Sequence, residues 1–140
     1  MVNVSELRNP TVAQSPNVLT ARGVVTLVRP DGTVLCERCK VAHRMLPRMK
    51  GLLGRKSLAT DEGILIRPAP SIHTLFMRFP IDVAFLSRQG EVLKIAEHVR
   101  PWRARSCRHS HAVLELAAGE AGRRGLAVGD RIDAAGPEGA

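Results

Sequence analysis

Aromatic residues are nearly missing from this chain of 140 residues, which has three Phe, one Trp and no Tyr. The core is therefore aliphatic, and recognition of nucleic acid by rows of stacking rings is excluded as a principal mode. Cysteine is equally sparse: Cys36, Cys39 and Cys107 are an odd set in a chain large enough to fold on one core without disulfide staples. A reducing, cytoplasmic setting is expected. No segment approaches eighteen consecutive apolar residues, and the first thirty residues carry no basic stretch followed by an apolar run. Neither a membrane span nor a standard export signal is expected. The chain also lacks a nucleophile elbow, an HExxH helix motif and a phosphate-cradling glycine loop. Gly51-Leu52-Leu53-Gly54-Arg55 has neither the spacing nor the Lys-Ser/Thr end of a P-loop, which leaves Arg55 as an anion contact.

What is present is β-rich. The chain length bounds the problem to one domain. Residues 1–23 mix Pro, Asn, Ser and Thr without a period and read as a loosely ordered arm. The domain proper is expected over 24–134, with 135–140 a frayed Gly/Pro tail. Two apolar runs around Pro30-Asp31-Gly32 predict a hairpin, and IDVAFLS followed by Arg88-Gln89-Gly90 and EVLKIAEHV predicts a second. Ile64-Leu65-Ile66, AVLELA and GDRIDA read as further strands. HRMLPRMKGLLGRKSL leaves room for a short helix, and GEAGRRGL for a helical turn. The fold class is α+β, predominantly β: a small antiparallel, barrel-like sheet of six or seven short strands with one or two short helices.

Charge is unevenly spread. Of a net +8, residues 35–60 hold +6 and residues 100–111 hold +4, so the remainder is slightly acidic. The second cluster comprises Arg100, Arg103, Arg105 and Arg108. Such segments form either a solvated basic surface or a salt-sensitive anion site, depending on whether they converge.

Three constellations carry candidate chemistry. Cys36-x2-Cys39-x3-His43 has soft ligands of the type zinc takes, with Cys107, His109 and His111 as further donors. On a regular strand, however, residues three apart face opposite sides, and only a bulge at Glu37-Arg38 would bring the two thiols together. No metal and no other cofactor is expected. His73, Thr74, Arg78 and Asp82 interrupt an apolar run with polar groups that need partners. Asp82 could orient His73 as a general-base dyad, or it could satisfy loop amides while His73 fills a polar niche. Arg55 and the Arg100–Arg108 segment are the third set, suited to an anion.

Together, Arg48-x2-Gly51-Leu52-Leu53-Gly54-Arg55, Glu62-Gly63-Ile64-Leu65, Ile72-His73-Thr74-x2-Met77-Arg78-Phe79-Pro80-Ile81-Asp82, Leu114-Glu115-Leu116 and Gly129-Asp130 resemble the domain-of-unknown-function 192 family. The motifs run in order over residues 33 to 134. The resemblance implies a compact, mostly β, barrel-like α+β domain and no established activity, substrate or cofactor. His73-Thr74 stands where many members have a Trp-Met-Lys-Asn-Thr run, which implies a His-Thr variant branch. Members of the His-Thr form often have Cys where this chain has Ala69, so a Cys/His site there lacks its thiol.

These readings converge on a monomeric binding domain. Its expected groove, formed by Arg55, His73, Thr74, Arg78 and Asp82, takes a small anionic ligand or a protein partner. The alternatives are an acid-base hydrolase using His73 and Asp82, and a nucleic-acid binder using the basic segments.

Overall fold

The computed structural model describes residues 17–42, 56–74 and 77–135. Both predicted hairpins form. β1 (Val24–Val28) pairs antiparallel with β2 (Val34–Ala42), and β5 (Ile81–Leu86) with β6 (Val92–Val99). Gly90 closes the second hairpin at a φ of 82°, where a Cβ would stand 2.7 Å from the Ile132 carbonyl oxygen, so the turn needs glycine on both counts. β3 (Glu62–Ile66), β8 (Ala112–Ala117) and β9 (Asp133–Ala135) complete a seven-stranded sheet in the order β6-β5-β8-β3-β2-β1-β9. The predicted turn of helix is α1 (Glu120–Arg123). The helix expected between residues 43 and 58 falls mainly on residues outside those described.

One expectation about the sheet needs correction. It is mixed and not wholly antiparallel, because β2 and β3 run parallel. A parallel pair cannot be joined by a tight hairpin turn, and β2 and β3 are separated in sequence by residues 43–61. The seven strands do not close into a barrel: β6 and β9 end the strand order, and Glu91 beside β6 and Arg131 beside β9 are joined by an isolated bridge.

Strand alternation loads both faces with aliphatic side chains, as the aromatic-poor composition requires. Leu65, Ala84, Leu86, Leu114 and Leu116 join Leu27, Leu35, Val92 and Ile132 on one face. Ile64, Ile66, Val83, Phe85 and Val113 point to the other, beneath Leu58, Ile72, Met77 and Phe79. Residues 17–21, within the segment read as an arm, pack against the domain. Asn17 bridges to Asp133, and Val18 and Ala21 are buried. The buried guanidinium of Arg67 donates to the carbonyls of Val18 and Ala21.

β2 departs from a regular strand. Leu27 faces Cys36 while Val25 faces Cys39, so two residues of β1 span three of β2. The extra residue is a β-bulge at Glu37-Arg38, which leaves both of these exposed and turns Cys36 and Cys39 into the same core face. The regular-strand expectation of opposed thiols fails for this reason.

Two further strands were not expected. β4 (Ser71–His73) and β7 (Ala104–Ser106) pair antiparallel as a separate two-stranded ribbon. Each is three residues long, too short to show a period in sequence. Ile72 anchors the ribbon into the second apolar face.

Candidate functional site

The ribbon carries the second basic segment onto the His73 loop. Its organiser is Thr74, which is fully buried. The Thr74 hydroxyl oxygen donates to the Arg100 carbonyl at 2.6 Å and accepts the Arg103 amide at 2.8 Å. The Thr74 amide donates to the Arg103 carbonyl, and its own carbonyl accepts the Trp102 amide at 3.0 Å. One threonine therefore fixes residues 100–103, leaving Arg100, Trp102 and Arg103 exposed. Trp102 adopts a φ of 64°, an unusual conformation for a bulky residue.

Between this ribbon and β6 lies an open groove of about 480 Å³. Ser71, Ile72, His73, Lys94, Ala104, Arg105 and Ser106 line it. Lys94 reaches across from β6, donating to the Ser106 carbonyl at 3.0 Å with its ammonium 5.8 Å from the Phe85 ring centroid. Arg105 donates to the Ala104 carbonyl at 2.7 Å. The lining thus presents an ammonium, a guanidinium, an imidazole and two hydroxyls, with no carboxylate. Such a wall attracts anions through charge and donates hydrogen bonds to them at close range.

Asp82 sits elsewhere. It is buried on the sheet face opposite Ile81 and Val83, where α1 begins. Its Oδ1 accepts the His98 amide at 2.8 Å, and its Oδ2 accepts the amides of Gly119 and Ala121 at 2.9 and 3.0 Å. The carboxylate ties the end of β6 to the β8–α1 turn. Of the expected groove residues, His73 lines the wall, Thr74 lies beneath as its brace, and Arg78 is exposed on the loop before β5. Arg55 and His43 lie outside the described residues. Arg105 lines the groove, Arg100 and Arg103 stand exposed near the Thr74 brace, and Arg108 is exposed after β7. Lys94, Ser71 and Ser106 were missed by sequence reasoning; a lysine within a hairpin strand carries no signal of what lies across from it.

From the first basic segment, Arg38 and Lys40 line a different groove of about 280 Å³ with Val24, Leu58, Glu62, Gly63 and Ile64. Arg38 is paired with Asp61 at 2.8 Å, and this contact holds the Asp61 carboxyl below its usual range. Arg124 similarly grips Glu37 at 2.7 Å, lowering that carboxyl. Glu120 is lowered by Arg123 and then by Arg124. Of these pairs, Arg124–Glu37 ties β2 to the end of α1, and Arg38–Asp61 ties β2 to the residue before β3. Among the described residues, no three His, Cys, Asp or Glu side chains gather to hold a metal ion. No helix among them is long and apolar enough to cross a membrane.

Comparison with protein-family models matches residues 26–134 to DUF192, described as "Uncharacterized ACR". The chain belongs to this family. Two solved structures share the fold of this DUF192 chain. One is a protein of unknown function from Novosphingobium aromaticivorans, 26% identical with a TM-score of 0.66, covering 78% of this chain and 82% of that one. The other is a "putative transcription regulator" from Sinorhizobium meliloti, 28% identical with a TM-score of 0.69, covering 84% of this chain and 96% of that one. No curated protein matches this DUF192 chain.

Proposed function

We propose that this DUF192 domain binds a small anionic ligand in the groove between β6 and the β4–β7 ribbon. The observation that carries this reading is the lining itself: Lys94, Arg105 and His73 with the Ser71 and Ser106 hydroxyls, and no acidic side chain. The groove is open and partly apolar through Ile72 and Ala104, which suits a compact anion with a short carbon skeleton. A phosphomonoester and a dicarboxylate are the probes. Titration of labelled protein is expected to give saturable amide shifts at 71–73 and 104–106, abolished in the Lys94→Ala, Arg105→Ala double variant. Shifts that fail to saturate, or that survive in that variant, overturn the reading. The same reading disfavours the His73/Asp82 acid-base alternative, because both Asp82 oxygens already accept backbone amides.

A second reading has one observation in its favour. Arg100, Arg103 and Arg108 are exposed on one short segment beside an exposed Trp102, and a relative of the same fold is described as a transcription regulator. Phosphate-backbone contact by these arginines predicts binding to duplex DNA that weakens steeply with salt, each contact adding roughly −0.9 to the log–log slope. Charge reversal at Arg100 and Arg103 that leaves DNA affinity unchanged would end it.

A further inference from the structure

Thr74 bends the chain that crosses it, and the bend falls on a tryptophan. The amides of Trp102 and Arg103 both point at Thr74, the first donating to its carbonyl at 3.0 Å and the second to its hydroxyl at 2.8 Å. Successive amides of an extended strand point to opposite sides, so two in a row reach one residue only where the backbone turns between them. The φ of 64° at Trp102 is that turn. Glycine and asparagine take this left-handed conformation readily, whereas a larger side chain crowds the following carbonyl. Trp102 gains little burial in return, since it is 55% exposed. The Arg103 guanidinium adds a bond to the Trp102 carbonyl at 3.2 Å. A strained residue whose bonds over-determine its backbone while its side chain stays displayed to solvent points to function.

The turn adjoins the anion groove. His73 and Ala104 pair at the end of the β4–β7 ribbon and both line the groove. Thr74 and Arg103 extend the two strands by one residue each, joined by the Thr74 amide on the Arg103 carbonyl at 2.8 Å, and Trp102 follows directly. Trp102 is three positions from Arg105, so their Cα atoms lie at most about 10 Å apart. That is comparable to the reach of one sugar carrying a phosphate at one end and a planar ring at the other.

Composition limits what can stack there. Among the described residues Trp102 is the one exposed aromatic, because Phe79 and Phe85 are buried. One ring makes one platform, whereas binding along a single strand uses a succession of them. Duplex DNA keeps its base faces within the stack and offers this indole no face to cover.

We infer, resting on the reading of the groove as an anion site, that its ligand is a nucleoside monophosphate. The phosphate lies among Lys94, Arg105 and the hydroxyls of Ser71 and Ser106, and the base stacks on Trp102. The Lys94 ammonium has three donors, so it keeps its bond to the Ser106 carbonyl and still serves the phosphate.

Trp102 is the single tryptophan, so intrinsic fluorescence reports on this residue alone. The probes are adenosine 5′-monophosphate and ribose 5-phosphate, the second carrying phosphate and sugar without the base. The nucleotide should quench the emission saturably and bind about 5- to 150-fold more tightly than ribose 5-phosphate, the range that stacking one base supplies. Ribose 5-phosphate should shift the amides of 71–73 and 104–106 without quenching. Trp102→Gly relieves the backbone, so its Tm should stay within a few degrees of wild type while its nucleotide affinity, followed by amide shifts, falls to that of ribose 5-phosphate. Trp102→Phe should recover part of the difference. Equal affinity of the two probes for the wild-type protein overturns the inference and leaves the groove reading standing. Failure of both probes to bind overturns both. A folded Trp102→Gly protein that also loses ribose 5-phosphate overturns the stacking role, and so does quenching by a single-stranded oligonucleotide but not by the mononucleotide.

Discussion

Asp82 gives the sharpest test of how this domain is held together. Its carboxylate takes three amides, of which that of Ala121 belongs to a buried residue, while His98 is exposed and Gly119 half-buried. In Asp82→Ala, water replaces the lost acceptor at His98 and Gly119 for about 1 kcal/mol each, whereas the Ala121 amide bears the full cost of a buried unsatisfied donor, about 2 kcal/mol. The expected loss is about 4 kcal/mol. Asp82→Asn keeps one oxygen, which serves the Gly119 and Ala121 pair if the amide nitrogen turns toward His98, so its loss is about 2 kcal/mol. For a chain of this size those values lower Tm by roughly 15 and 7 °C. Urea unfolding followed by far-UV circular dichroism measures both, and amide exchange should show Ala121 losing protection in the alanine variant. Equal stability of the two variants, or an alanine variant within about 1 kcal/mol of wild type, refutes the cradle argument. The folded Asp82→Asn protein should still bind anion in the groove at wild-type strength. A stable variant that had lost binding would return Asp82 to the reacting groups.

Gly63→Ala should cost about 1–3 kcal/mol by overpacking, since its Cβ would meet Cys36 Sγ at 2.8 Å and Leu116 Cδ2 at 3.1 Å. Adding Cys36→Ala should recover part of that loss, and strict additivity in urea unfolding of the double variant would disprove the contact. Arg67→Met should free the carbonyls of Val18 and Ala21 and lose about 2–3 kcal/mol, with faster amide exchange confined first to 17–21; exchange unchanged there would refute the clamp. Glu37, Asp61 and Glu120 have folded pKa values below their unfolded ones, so their ion pairs contribute in full above about pH 4.5. That stability is lost as pH falls through the lowered folded values, and a pH series of urea midpoints should decline there; Glu37→Gln should flatten the decline. A midpoint independent of acid pH would contradict it.

Local pattern made most of the sheet legible. Apolar alternation and the turns at Pro30-Asp31-Gly32 and Arg88-Gln89-Gly90 are enough to place both hairpins, and β8 follows from AVLELA. The parallel contact of β2 with β3 was not legible, because the order of strands in a sheet depends on long-range packing that no local period encodes. The bulge at Glu37-Arg38 was conceivable from sequence but not decidable, for a related reason. Cys-Glu-Arg-Cys reads as a strand in either register, and only the demands of Val25 and Leu27 across the ladder decide that both thiols turn inward.

The candidate groove was hidden more deeply, and its composition explains how. Its walls come from residues 71–73, from Lys94 and from residues 104–106, brought together by a three-residue ribbon and by Thr74. Sequence placed His73 and Thr74 in one expected groove, on polarity, and assigned Arg105 on charge to a basic segment apart from it. Thr74 was taken for a binding group, yet its hydroxyl bonds to the backbone of Arg100 and Arg103. Its substitution therefore separates bracing from binding. Thr74→Val keeps the shape and removes a hydroxyl that serves one carbonyl and one amide strongly, so it should lower stability and shift the amides of 100–103. If the threonine is only a brace, the variant still saturates with anion, more weakly, and the Arg105 signals move as in the wild type. If Thr74→Val folds with 100–103 undisturbed but fails to bind, the hydroxyl itself contacts the ligand and the placement of the groove wall is wrong.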